Sequence, residues 1–116
     1  MKVIQLKEIK KSKVTMEGAK DVYKQLVISG ADDSPVFAFR VFTVEPEGHT
    51  PFHQHPFEHL NYVIEGEGEL VDAQGKSRQI NKGDFALVLP DERHQYRNKS
   101  KRDPFIMICA VPKEYE

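Results

Sequence analysis

Apolar and β-branched residues recur along this chain in short runs closed by clusters of Gly, Pro, Asp, Asn or Ser, and nowhere with the period of an amphipathic helix. Val22 to Ile28 reads as extended, and the run from Ser29 to Pro35 turns the chain after it. Val36 to Val44 is almost wholly apolar, aromatic or β-branched, as expected of a strand covered on both faces, with Arg40 as its anomaly. Glu45-Pro46-Glu47-Gly48 turns the chain again. Further extended runs follow at Leu60 to Ile64, Glu69 to Asp72, Ser77 to Ile80, Phe85 to Leu89, Gln95 to Asn98 and Phe105 to Val111. The one place for a helix is a turn or two near Met16 to Lys20. Eight or nine short strands at hairpin spacing predict an all-β fold, and a jelly-roll β-barrel fits their number and length while leaving few exposed edges.

A chain of 116 residues fits one domain with a core of its own. The charged and loosely patterned residues 1–20 read as an N-terminal arm with a short strand, and 21–116 as the barrel; Lys10 to Lys13 is a solvated basic run. A net charge of -1 gives no electrostatic reason to expect nucleic acid or an anionic membrane as partner. No apolar stretch is long enough to span a bilayer, the N-terminus has no signal-peptide core, and Cys109, the only cysteine, allows no internal disulfide. A cytoplasmic protein acting on a small molecule is the expectation.

The chemistry is concentrated in His53-Gln54-His55-Pro56-Phe57-Glu58-His59 and in Gly83-Asp84 to His94. Residues two apart on a strand share a face, so His53 and His55 can offer two imidazoles to one ion. Glu58 and His59 compete for a third position, and His94 adds a ligand from a distant strand. Pro56 cannot donate to a central ladder, so the strand must bend or end there. His49 reads as an ordinary structural histidine.

These two stretches resemble the two motifs of the cupin superfamily, small β-barrels that hold a metal inside. In the first motif a His-x-His pair is followed four positions on by glutamate and seven further on by glycine; here these are His53, His55, His59 and Gly66. In the second, Gly-Asp, a proline, a histidine and an asparagine correspond to Gly83, Asp84, Pro90, His94 and Asn98. The resemblance therefore implies His53, His55, His59 and His94 as ligands of one divalent transition metal per chain. It is similar to the manganese-type single-domain cupins; manganese or iron is implied first, with nickel, copper and zinc also used by the family. Glu47 and Asp91 stand where the family commonly has glycine, implying a different turn geometry, and glutamate is missing from the ligand set. Glu58 becomes a surface residue or an acceptor orienting an imidazole.

Four neutral ligands leave the charge of the ion uncompensated, making it a stronger Lewis acid. The reading is a metal-dependent oxygenase or related oxidoreductase, dioxygenase-like, acting on a small, partly apolar molecule. Rivals are a metal-dependent isomerase or lyase, with Glu58, Tyr62, Tyr96 or Cys109 as acid or base, and a non-catalytic sensor. Pocket candidates are Arg40, Tyr62, Tyr96, Phe105, Met107 and Cys109, with Phe37, Phe39, Phe52, Phe57 and Phe85 as further apolar residues. Arg40 either meets a carboxylate at a subunit contact or faces the interior and holds an anion. The resemblance also implies a homodimer, since cupins commonly pair through β-sheet edges. Arg93, Arg97, Lys99, Lys101 and Arg102 read as a solvated hairpin.

Overall fold

A computed structural model describes residues 1–116. Its strands are β1 (Ser12–Lys13), β2 (Lys20–Ile28), β3 (Phe37–His49), β4 (His59–Glu65), β5 (Glu67–Val71), β6 (Ser77–Asn81), β7 (Phe85–Val88), β8 (Gln95–Arg97) and β9 (Phe105–Pro112). They form one antiparallel sheet in the order β6-β5-β8-β3-β9-β4-β7, with β2 against β3 and β1 against β2, curling into a jelly-roll barrel. The organising strand is β3, 13 residues long. One edge carries β2, the other carries β9 from Phe37↔Pro112 to Val44↔Phe105, and its end reaches β8 at His49↔Arg97.

Alternation decides what points inward. On β9 the pattern is strict: Phe105, Met107, Cys109 and Val111 are buried, and their neighbours are half-buried. Arg40 and Phe42 of β3 and His59 and Asn61 of β4 share the interior with them. Val22, Val44, Val63, Ile80, Tyr96, Phe105 and Met107 pack as one core cluster; Ala38, Cys109 and Val111 form a smaller one, with Phe42 and Phe57 against it. An internal cavity runs between the two.

The strand at Val36 to Val44 is not covered on both faces throughout. Phe37 and Phe39 are 59% and 45% exposed, whereas Val41 and Thr43 are buried. Gln25, opposite Val41, donates from Nε2 to the carbonyls of Leu6 (3.0 Å) and Ile9 (2.8 Å), tying residues 6–9 to β2. Residues 12 and 13 form β1 against β2. Met16 to Lys20 is a turn rather than a helix, because Gly18 adopts a positive φ and Lys20 already belongs to β2. The helical elements are three single 3-10 turns, Leu6–Glu8, Gly30–Asp32 and Lys113–Tyr115, so no helix is long and apolar enough to cross a membrane.

Gly66 is required where it stands. At φ 75° a Cβ would lie 2.2 Å from the carbonyl oxygen of Pro104, so no side chain fits between β4 and the start of β9. Glu45 to Gly48 does not turn the chain as expected but continues β3 to His49, with a register shift against β2, so Glu47 lies within the strand and only Asp91 in a turn. Both hold the left-handed backbone that favours glycine, at φ 64° and 63°. Asp91 is fixed there by its N–H donating to the His55 carbonyl at 2.8 Å.

Candidate metal centre

His53 and His55 do not lie on a regular strand as expected. Pro51 and Pro56 flank them, and all that survives of a ladder is one antiparallel bridge, His53↔His94. That bridge is reciprocal: the His53 N–H donates to the His94 carbonyl at 3.1 Å, and the His94 N–H to the His53 carbonyl at 2.9 Å. Directly opposite residues present their side chains to the same face, which sets the two rings 5.2 Å apart. His55 extends the arrangement, its ring 5.2 Å from His53 and 5.0 Å from His94. His53, His55 and His94 each offer a ring nitrogen within 4.8 Å of the others, a group that could hold a metal ion.

His59 opens β4 beside this trio, with its ring 4.3 Å from that of His55 and 5.1 Å from that of His94, but its donor atom lies outside the three-nitrogen group. Glu58 belongs neither to the histidine group nor to the cavity wall, since parity on β4 sends His59 and Asn61 inward. His49, at the end of β3, is half-buried beyond the cavity, its Nδ1 3.2 Å from the Thr50 carbonyl.

The tautomers are set by the backbone. His55 Nδ1 lies 2.7 Å from the Phe57 carbonyl and His94 Nδ1 lies 2.8 Å from that of Glu92, so each Nδ1 carries the proton and donates it. That leaves His55 Nε2 and His94 Nε2 as bare lone pairs, both buried without a partner, as is His59 Nδ1. Buried polar atoms are seldom left unsatisfied, and inward lone pairs on neutral imidazoles are the donor set a transition ion accepts. The residues present therefore fit a divalent metal. Electrostatics agree. Burial, reinforced by the other imidazoles, holds the His53 pKa down at about 4 and that of His59 at about 2. Burial likewise lowers His55 and His94, against the pull of their backbone acceptors. All four rings are neutral near pH 7, the form in which they can ligate.

The cavity, about 210 Å³, is lined mainly by apolar side chains. Of the residues anticipated by sequence, Arg40, Phe57, Tyr96, Met107 and Cys109 lie on its wall; Tyr62, Phe105, Phe37, Phe39, Phe52 and Phe85 do not. Tyr62 is one position out of phase with His59 and points outward, edge-on against Phe85. Phe105 has the right parity but sits in the core beneath Gly68, where a Cβ would meet its ring at 2.7 Å. Phe37, Phe39, Phe52 and Phe85 are exposed. Tyr96 is not placed as an acid or base: its hydroxyl donates to Asn61 Oδ1 at 2.6 Å, and burial pushes the phenol far up.

Several wall residues escape sequence reasoning. Asn61 was recoverable, being two residues after His59 on the same strand face. Val14 and Met16 enter from the arm, and Tyr115 from the last 3-10 turn, with no local signal. Tyr115 stacks on Phe57 (4.0 Å between ring centres) and Phe57 on His55 (3.9 Å), an aromatic column closing one side of the site. Outside, Arg97 and Lys99 both pair with Glu69 and Arg93 covers the ring of Phe52; β8 pairs with β3 and β5 and not with β9, so this basic segment is a connection rather than the hairpin expected.

A curled jelly-roll sheet with inward histidines from both expected motifs defines a cupin, and the Cupin domain family matches residues 40–111. The chain belongs to that family. Among solved structures it is similar to the polyketide cyclase RemF from Streptomyces resistomycificus, with 28% identity, TM-score 0.91, and 97% of this chain and 79% of that one covered. It also resembles a predicted oxalate decarboxylase from Thermotoga maritima (22% identity, TM-score 0.83, 97% and 99% covered) and ectoine synthase from P. lautus (22%, 0.74, 97% and 78%). The last two likenesses speak to the fold alone. Comparison with the curated proteins returns no match.

Proposed function

We propose that this cupin is a metal-dependent enzyme whose His53, His55, His59 and His94 hold one divalent ion, and that it cyclises, eliminates or isomerises a small, partly apolar molecule. The observation that carries it is the set of neutral imidazoles with buried, unpartnered nitrogens converging on an apolar cavity. His59 joins the trio in this reading because its buried Nδ1 has no other partner and its ring lies against that of His55. When bound, the ion supplies Lewis acidity toward a substrate oxygen.

The chain's own residues do the rest. The two backbone-anchored imidazoles keep their lone pairs aimed inward without reorganisation. The column of Tyr115, Phe57 and His55 excludes water on one side, and Phe42 and Met107 give a planar apolar substrate a surface to lie on. Non-redox chemistry is favoured over the oxygenase reading on two grounds. Met107 and Cys109, side chains that an activated oxygen species formed in the cavity would attack, line the same wall. A solved structure 28% identical to this chain is that of a polyketide cyclase.

The test is elemental analysis of untagged protein and its His59→Ala variant, followed by substrate screens with and without dioxygen. Near one zinc or other redox-inert ion per chain, sharply reduced in the variant, and turnover indifferent to dioxygen are expected. Iron with dioxygen-coupled turnover would return the oxygenase reading. Full metal content in the variant would remove His59 from the ligand set.

The homodimer belongs to the same proposal, with the outer face of β7, β4, β9 and β3 as its contact rather than a sheet edge. Phe39, Leu60, Tyr62, Phe85, Leu87 and Ile108 line a shallow groove there, with Phe85 81% and Leu87 56% exposed. Outward positions of a solvated antiparallel sheet are ordinarily polar, and a continuous apolar face free of charge suits a second copy of itself.

A further inference from the structure

Arg40 is the anomaly of β3, and its surroundings are unusual. Only 7% of it is exposed, yet it takes part in none of the three ion pairs of the chain. Its Nη2 donates to the Cys109 sulfur at 3.0 Å and its Nη1 reaches the Tyr115 carbonyl at 3.4 Å, while Nε is buried with no partner. The guanidinium carbon lies 4.9 Å from the centre of the Phe42 ring. A thiol, a carbonyl and an aromatic face do not neutralise a cation. Lys24, whose strand position is opposite Phe42, adds a second positive group, which is answered by Glu116: its ammonium meets that residue's main-chain oxygen at 3.0 Å and feels its negative charge. An uncompensated buried guanidinium is costly, because little water reaches it to screen the charge.

We propose that Arg40 is the anion-binding residue of the cavity, and that the substrate is a small carboxylic acid whose carboxylate pairs with the guanidinium while its apolar body lies along Phe42, Phe57 and Met107. A guanidinium presents parallel N–H groups that match a carboxylate, and the unpartnered Nε lies on the fork such a pair uses. The charge that the fold leaves open is then closed by the ligand. The inference rests on the proposed function only in taking this cavity as the substrate site; it names the substrate class and does not require the ion.

The experiment is isothermal titration calorimetry of the full chain, EDTA-stripped and zinc-loaded, with acetate, benzoate and 1-naphthoate, each against its neutral amide. In the stripped protein at least one acid is expected to bind about tenfold or more tightly than its amide, and Arg40→Met to bring that ratio close to one. Arg40→Lys retains part of the preference. The melting temperature of ligand-free Arg40→Met stays level or rises, since an unpaired charge has been removed. Equal binding of acids and amides, or no binding by any acid, overturns the proposal, as does a preference that persists in Arg40→Met. A marked loss of stability in both Arg40→Met and Arg40→Gln would make the guanidinium a structural tie and overturn it too. A preference seen only with zinc and untouched by Arg40→Met assigns the anion to the ion, leaving the metal reading intact. A preference lost in Arg40→Met from a chain that takes up no metal upholds Arg40 while the metal reading fails.

Discussion

Acid should destabilise the metal-free protein well above the range in which carboxylates titrate. A histidine whose folded-state pKa is depressed contributes its stability in full above its unfolded pKa, 6.5, and loses it as pH falls toward the folded value. For His53 and His59 the folded values are about 4 and about 2, so over most of that interval the unfolded chain takes up protons that the folded chain refuses. From about pH 7.5 to about pH 5.5 each such histidine costs the fold about 1.4 kcal/mol. His53 is partly open to solvent, and with its share halved for screening the pair gives about 2 kcal/mol. His55 and His94, also lowered, act in the same direction. For a domain of this size the loss corresponds to a fall in melting temperature of roughly 8 °C. Asp32 and Glu69, the carboxylates held low by their partners, titrate below this window and do not blur it. Thermal melts of EDTA-stripped protein followed by circular dichroism across the window measure the slope, and His53→Gln/His59→Gln should flatten it. A melting temperature independent of pH, or an unchanged slope in the double variant, would refute the claim that these imidazoles are held neutral by burial.

Further tests probe the supports of the site. Tyr96→Phe leaves Asn61 Oδ1 without its donor in the buried interior and should cost about 1–3 kcal/mol in urea melts, with the metal content unchanged. If metal is lost instead, Tyr96 is nearer the chemistry than its hydrogen bond implies. Gly66→Ala forces a Cβ onto the Pro104 carbonyl at a positive φ and should cost about 3 kcal/mol or more, read as a lowered denaturation midpoint. Leu87→Glu, on the exposed face of β7, should convert a dimer to a monomer in analytical ultracentrifugation without lowering metal content; an unchanged mass would move the contact elsewhere.

How much of this was legible in the chain differs from residue to residue. Strand periodicity is a local property, so β2, β4, β6, β7 and β9 fall within a residue or two of their expected limits. Spacing also carried the histidines: the two motifs placed His53, His55, His59 and His94 in one neighbourhood before any geometry was known. Alternation along β9 brought Met107 and Cys109 to the wall, and the same rule would have added Asn61. Parity fixes a face but not a depth, so Phe105 could not be told from Met107: whether an inward residue meets the cavity or the core depends on strands far away in sequence.

The sequence by itself determined most of the strands and turns and the residues able to ligate, because those follow from short-range periodicity and side-chain chemistry. Only the tertiary structure decided that His53 and His94 pair through their backbones, that Gln25 ties the arm to β2, and that Tyr115 closes the aromatic column. It alone left Arg40 buried without a carboxylate. Each of these joins segments tens of residues apart, and such contacts are set by how the sheet curls, which no local pattern encodes.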